Sequence, residues 1–203
     1  MTDIVLRISR KCNDSSFPCE NRDIVRRHVS VFLAFPLLCL GTSIPRMSLD
    51  DAVYQSEMIV TGDVVRTWAA WDSQPRFIWT HTEIAVRDRW KGAPGATVTV
   101  SEPGGFAEGS GQAIAGMVRY VPGEHIVAFL YRTPHGYIRT RGLAQGKFVI
   151  DAQGLVHLAA TDAQIVPSAA SSGSPMKELE SIPVSAMRDR IMRIASHAKA
   201  VRK

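Results

Sequence analysis

Cysteine is scarce in this chain: the sequence has three, Cys12, Cys19 and Cys39, and all of them precede residue 44. The part beyond residue 43 can therefore form no disulfide, no cysteine metal site and no thiolate nucleophile. A stable domain there must depend on its apolar core. Its length is that of one ordinary domain.

Long apolar runs are also lacking, since a bilayer-spanning helix needs about 20 apolar residues. The main apolar stretch, Val29 to Gly41, is shorter and is interrupted by Pro36, which removes a helix hydrogen bond. Basic residues at 26–28 precede it, and small residues follow it. This order is typical of a secretory signal peptide, which we predict at residues 25–43 with cleavage before Ile44. An uncleaved signal anchor and a buried helix are the alternatives.

The stretch before this segment, residues 1–24, is polar and irregular. We interpret it as a start-site artefact or a disordered extension. With the signal peptide removed, no stable transmembrane helix is expected, and the predicted location is periplasmic or secreted.

A strong charge bias is absent as well. The chain has 24 basic and 19 acidic residues, which gives a net charge of +5. A nucleic-acid-binding domain would carry Lys and Arg massed along one face. We therefore expect no nucleic-acid partner.

The pattern of residues 44–166 predicts a β domain. About seven short segments rich in β-branched and aromatic residues alternate with Gly and Pro, which favours an OB-like small β-barrel or sandwich. Ser48 followed by Asp51 predicts a capped short helix over Leu49–Gln55. Residues 167–175 are predicted to be a linker, and residues 176–203 an amphipathic C-terminal helix.

Four segments of the β domain bear on function. Met58–Val65 is predicted to be a strand, and Trp68–Arg76 a linker. From Ile78 to Trp90 apolar and polar residues alternate, as in a half-buried strand. Residues 103–123 are rich in glycine, and so long a connection is either mobile or functional.

The sequence resembles a group of uncharacterised secreted bacterial proteins over residues 57–150. The shared features lie in "EMIVTGDVV", "AVRDRWKG" and "VPGEHIVAFL", at Val60, Gly62, Val64, Val86, Lys91, Gly92, Pro122, Gly123, Glu124, Phe129 and Leu130. The strand pattern is also similar to netrin-like domains, which are OB-type barrels. The resemblance implies a secreted OB-type domain.

That resemblance does not carry an inhibitory mechanism. Tissue inhibitors of metalloproteinases, which are netrin-like, chelate zinc through an N-terminal cysteine, and the predicted mature domain has none. Similarity of fold alone does not establish function.

The sequence contains no convincing catalytic motif, and it predicts no cofactor and no metal site. Ser110, Ser172 and Ser174 lie in glycine-rich stretches without the following helix that a nucleophile elbow needs. His81 and Glu83 share a strand face, so a hydrolase or metal-dependent enzyme using them is one alternative. Single-stranded nucleic-acid binding on an OB-like surface is another.

Tryptophans are the most informative side chains. Trp68 and Trp71 fall in the predicted linker, where exposed rings could stack on a sugar or anchor a protein. We predict a ligand-binding surface of Trp68, Trp71, Gly104 and Gly105. The expected function is an exported, envelope-associated binding or structural module for a protein or carbohydrate ligand.

Overall fold

A mainly β architecture characterises the computed structural model, which describes residues 43–72, 77–168 and 173–201. All of these residues belong to one compact unit. The prediction of a mainly β fold is confirmed. The interpretation of residues 1–24 lies outside the described residues, as does all but the last residue of the predicted signal peptide.

Strands outnumber helices among the described residues. In chain order the described elements are β1 (Ser43–Pro45), α1 (Leu49–Gln55), β2 (Met58–Trp71), β3 (Ile78–Lys91), β4 (Thr97–Pro103), β5 (Gly105–Ala107), β6 (Ser110–Gln112), β7 (His125–Arg132), β8 (Ile138–Thr140), β9 (Lys147–Ile150), β10 (Leu155–Leu158), β11 (Gln164–Val166), β12 (Ile182–Pro183) and α2 (Val184–Val201). Short 3-10 turns lie at Leu143–Gly146 and Met176–Leu179.

The first helix begins where the sequence predicts. The hydroxyl of Ser48 accepts a hydrogen bond from the backbone N–H of Asp51 at 3.1 Å and donates one to its carboxylate at 2.7 Å. This arrangement satisfies one of the free N–H groups at the helix start. The predicted span, Leu49–Gln55, is confirmed.

A long antiparallel hairpin replaces the predicted linker at Trp68–Arg76. Strand β2 does not stop at Val65 but continues to Trp71, and β3 runs beside it from Ile78. Thr67, Trp68 and the two alanines that follow satisfy their backbone groups across this hairpin, which overrides the polar character of the segment. The linker prediction is therefore wrong for the part that is described, and residues 73–76 lie outside it.

Eight strands form the main sheet, in the order β12-β10-β9-β7-β2-β3-β4-β8. Strand β8 also pairs with β7, antiparallel, and pairs with β4 in parallel through Val100 and Ile138. Two smaller sheets consist of β1 with β11 and of β5 with β6.

The sheet has apolar residues on both faces. One cluster joins residues of the two helices, such as Ala52 and Ile191, to alternate residues of β2 and β7, such as Ile59 and Phe129. The other cluster lies on the opposite face and contains Val60 and its neighbours. Burial of each large side chain stabilises the fold by about 1.5–3 kcal/mol.

The C-terminal region is less helical than predicted. A 3-10 turn and the two-residue strand β12 occupy part of residues 176–203, and α2 starts only at Val184. Its Met187 and Ile191 are buried in the first cluster, as expected for an amphipathic helix that covers the sheet. No helix among the described residues is both long and apolar enough to cross a bilayer.

A histidine links three segments near this end. The Nε2 atom of His157 on β10 lies 2.7 Å from Asp151 Oδ2, and its Nδ1 lies 3.1 Å from Glu180 Oε1. Hydrogen bonds to Asp151 and then to Glu180 raise the pKa of His157 above its ordinary value. The imidazole thus joins β10 to the turn before it and to the segment before β12.

Candidate functional site

A cavity of about 520 Å³ lies between one face of the β2–β3–β4 sheet and the segment 113–122. The strands supply its floor, the glycine-rich stretch after β4 supplies its rim, and the segment 113–122 supplies its wall. This volume falls in the range of sites that hold small ligands, about 300–1,000 Å³. The glycine-rich connection is thus part of a cleft.

Four polar side chains line the floor, and the strand register places them in two adjacent rows. Thr67 on β2 is directly opposite Thr82 on β3, and Thr80 on β3 is directly opposite Glu102 on β4. Directly opposite residues in antiparallel strands point to the same face. The floor is therefore polar although the strands around it carry apolar side chains.

Glu102 is the buried charge of this floor, with 3% of its surface exposed. Its Oε1 accepts a hydrogen bond from the backbone N–H of Thr140 at 2.6 Å, and its Oε2 accepts one from Arg139 Nε at 3.1 Å. Burial raises the pKa of Glu102, against the lowering effect of Thr140 and Arg139. The carboxyl is held in a fixed orientation at the floor.

Gly104 and Gly105 form part of the rim, as residues that line the cavity. The carbonyl of Gly104 accepts a hydrogen bond from the Thr80 hydroxyl at 2.7 Å, and its N–H donates to Ile78 O at 2.7 Å. At Gly105 the backbone has a φ of 132°, and a Cβ atom would overlap the Thr80 hydroxyl oxygen. Only glycine lets the chain lie this close to β3.

The wall and rim present mostly apolar side chains, with the exposed Arg119 among them. Phe106 lies on the rim and is 71% exposed. Ile114 and Val121 lie on the wall, line the cavity and are also exposed. Tyr120 is buried, and its hydroxyl lies 2.8 Å from Thr140 Oγ1. A ligand in the cleft would contact apolar groups on one side and polar groups on the other.

A buried lysine holds the wall in place. Lys147 on β9 is 1% exposed, and its Nζ donates hydrogen bonds to the carbonyl of Arg119 at 2.6 Å and to Glu124 Oε2 at 2.5 Å. The same carboxylate oxygen accepts the N–H of Val121 at 2.9 Å. Burial lowers the pKa of Lys147, whereas Glu124 raises it. The segment Arg119–Glu124 is thereby tied to β9.

The two tryptophans predicted to bind ligand lie on opposite faces of the hairpin. Trp71 is opposite Ile78 and shares the face of Thr67 and Thr80, whereas Trp68 is opposite His81 on the other face. Both rings are partly exposed, at 37% and 38%. Thus Trp71, Gly104 and Gly105 belong to the cleft side of the sheet, and Trp68 does not.

Trp68 instead belongs to an outer aromatic face. Its ring lies 5.4 Å from that of His81, and the Arg66 guanidinium lies 4.7 Å from its centre. Trp79, on the same side of β3, stacks on Tyr137 at 4.5 Å. Burial lowers the pKa of His81, although the charge of Asp72 acts in the opposite direction.

The residues of the enzyme alternative also lie on this outer face. His81 Nδ1 is 2.8 Å from the hydroxyl of Ser101, a buried serine of strand β4. The Glu83 carboxylate accepts two hydrogen bonds from Arg66, at 2.8 and 2.9 Å. Within residues 43–72, 77–168 and 173–201, no group of three or more His, Cys, Asp and Glu side chains is placed to hold a metal ion.

Sequence reasoning missed the floor of the cleft. The signal for it was present, because Thr80 and Thr82 are the polar residues of an otherwise apolar strand face. Glu102 gave no such signal, since it ends a strand next to proline and glycine, where a carboxylate is usually exposed.

No family model matches this sequence, and a comparison with curated proteins finds no similar one. The resemblance to secreted netrin-like domains therefore stays a prediction.

Proposed function

We propose that this protein is an exported binding module of the cell envelope, whose cleft between the β2–β4 sheet and the segment 113–122 holds a small ligand. The observation that carries the proposal is the cavity of about 520 Å³ with its polar floor and apolar wall. A mostly apolar cavity with a few converging polar groups is the usual form of a small-molecule site. The fixed orientation of Glu102 and the tied wall favour binding over a purely structural role.

We further propose that β2, β3, β4, β8 and β7 form an OB-type barrel. The support is a ring of pairings: β2 with β3, β3 with β4, β4 with β8, β8 with β7, and β7 with β2. The pairing of β4 with β8 is parallel and the others are antiparallel. The cleft would then lie at one end of this barrel, covered in part by the β5–β6 hairpin.

The proposed location rests on residues 25–43, whose basic start, short apolar run and small residues favour export. Fractionation of cells that express the full chain with a C-terminal tag tests it. The periplasm or the medium should contain a product that begins near Ile44. Recovery of the intact chain from the cytosol alone would contradict export.

Binding in the cleft is tested by hydrogen exchange of the full chain. The probes are a mixture of neutral oligosaccharides, a mixture of short peptides and a six-residue oligothymidylate. At least one probe should slow exchange in residues 104–122 of the native chain. Thr67→Trp, which places a large side chain on the floor, should abolish that protection.

Thr97→Trp is the matched control, because it makes the same change at an exposed position of β4 that does not line the cavity. Trp68→Ala separates the two faces of the hairpin. If Trp68→Ala abolished protection and Thr67→Trp did not, the ligand would belong to the outer face and the cleft proposal would be wrong. The cleft proposal would also be wrong if no probe protects residues 104–122.

A further inference from the structure

The floor of the cleft has a definite pattern of hydrogen-bonding groups. The pairs Thr67–Thr82 and Thr80–Glu102 each span about 5 Å between Cβ atoms, as directly opposite residues do. Thr80 and Thr82 are two residues apart on one strand, which separates them by about 7 Å. Three hydroxyls and one carboxyl thus converge on a patch of about 5 by 7 Å.

This patch offers hydrogen bonds with little net charge. The carboxylate of Glu102 is paired with Arg139, and its oxygens already accept hydrogen bonds from Arg139 and from both the backbone and the side chain of Thr140. A carboxylate has about four acceptor positions, so it can still accept from a ligand hydroxyl. A cationic ligand would compete with Arg139 for this carboxylate, and an anionic one would be repelled by Glu102, although Arg119 also lines the cavity.

The side of the cleft away from the floor is mostly apolar, with Arg119 as the charged residue of the wall. Phe106, Ile114 and Val121 expose apolar surface there without a covering element among the described residues. A flat ring with C–H groups on its face would cover such surface, and the Phe106 ring is available for stacking. The ligand must therefore combine an apolar face with an edge of hydroxyl groups.

We propose that the ligand of this cleft is a neutral carbohydrate, whose hydroxyls bind Thr67, Thr82 and Glu102 and whose ring face packs on Phe106. This inference rests on the proposed function. An extended peptide would be recognised chiefly through backbone groups at a strand edge, whereas the floor presents side-chain hydroxyls from strands that are paired to each other. A polyhydroxylated ring satisfies both the floor and the wall.

The test uses the full chain on a glycan microarray that contains neutral and acidic oligosaccharides, beside an array of peptides of three to six residues. Neutral glycans should bind, and calorimetry with the best of them should give a dissociation constant for comparison among variants. Thr82→Val should weaken binding about 3- to 10-fold, the effect of one hydrogen bond. Phe106→Ala should weaken it about 10-fold through lost ring contact.

Two controls separate binding from folding. Thr82→Ser keeps the hydroxyl and should bind within about 2-fold of the native chain. Phe77→Ala removes another exposed phenylalanine, one that does not line the cavity, and should leave the dissociation constant unchanged.

The outcomes distinguish the ligand class from the binding function. Binding of acidic glycans or peptides alone, sensitive to Phe106→Ala, would overturn the carbohydrate assignment and leave the binding function in place. Glycan binding that neither Thr82→Val nor Phe106→Ala weakens would place the sugar elsewhere and overturn the assignment. Failure of both arrays, together with unprotected residues 104–122, would overturn both proposals.

Discussion

Replacement of Lys147 by methionine should strongly destabilise the protein. Methionine fills a similar volume, so the change leaves little cavity and mainly removes the charge. It leaves the carbonyl of Arg119 without its hydrogen bond and the carboxylate of Glu124 without its cation. Removing one partner of a buried ion pair costs about 3–5 kcal/mol. That is a large part of the roughly 5–15 kcal/mol by which domains are stable.

The assay is urea unfolding of the full chain, followed by circular dichroism, for Lys147→Met and for a control. Lys177→Met makes the same change at an exposed position and should alter the free energy of unfolding by less than about 0.5 kcal/mol. Adding Glu124→Gln to Lys147→Met removes the unpaired charge and should recover about 1 kcal/mol or more. If Lys147→Met costs no more than Lys177→Met, the lysine does not hold the wall and the reasoning is refuted.

Three further predictions concern a glycine, a histidine and a helix cap. Gly105→Ala should cost about 1–3 kcal/mol for its backbone conformation, and more for overlap with the neighbouring hydroxyl. The control is Gly109→Ala, which has a positive φ but open space around it and should cost about 1–2 kcal/mol. If both variants lost the same stability in thermal unfolding, the close approach of Gly105 to β3 would be contradicted. Because the pKa of His157 is raised in the folded state, its stabilising contribution is present below about pH 6.5 and is lost as the pH rises through the folded-state pKa. The difference in urea midpoint between native chain and His157→Gln should therefore shrink from pH 5.5 to pH 9, and a constant difference would contradict the charged bridge. Ser48→Ala should lower the free energy of unfolding by about 1 kcal/mol in urea unfolding, whereas Ser48→Thr, which keeps the hydroxyl, should lower it much less.

Local signals in the sequence were sufficient for the elements whose stability is local. The first helix follows from its Ser48 cap, and the alternation from Ile78 to Trp90 identifies a strand because period two is a backbone property. The hairpin was missed beyond Val65, since its polar and small residues are stabilised by pairing with β3 and not by a local pattern of their own. The start of α2 was placed too early for the same reason, because β12 pairs with β10.

The residues of the candidate site were likewise predicted only in part. Gly104 and Gly105 were identified from composition, and Trp71 lies on the cleft side, but Trp68 lies on the outer face. Two residues three apart on a strand point to opposite faces, whereas in a loop they need not, so the linker error led directly to the error about the surface. The fixed orientation of Glu102 on the floor depends on its contacts with β8, which no local pattern predicts.

Strands β2 and β7 supply alternate side chains to both apolar clusters, as Ile59 and Val60 do on consecutive positions. Neither apolar cluster can unfold while the other stays intact, because loss of either cluster would expose strands β2 and β7, which both clusters share. Heat denaturation should therefore proceed as one cooperative step, with equal calorimetric and van't Hoff enthalpies. Occupation of the cleft would then raise the melting temperature of the helical layer as much as that of the strands beside the ligand.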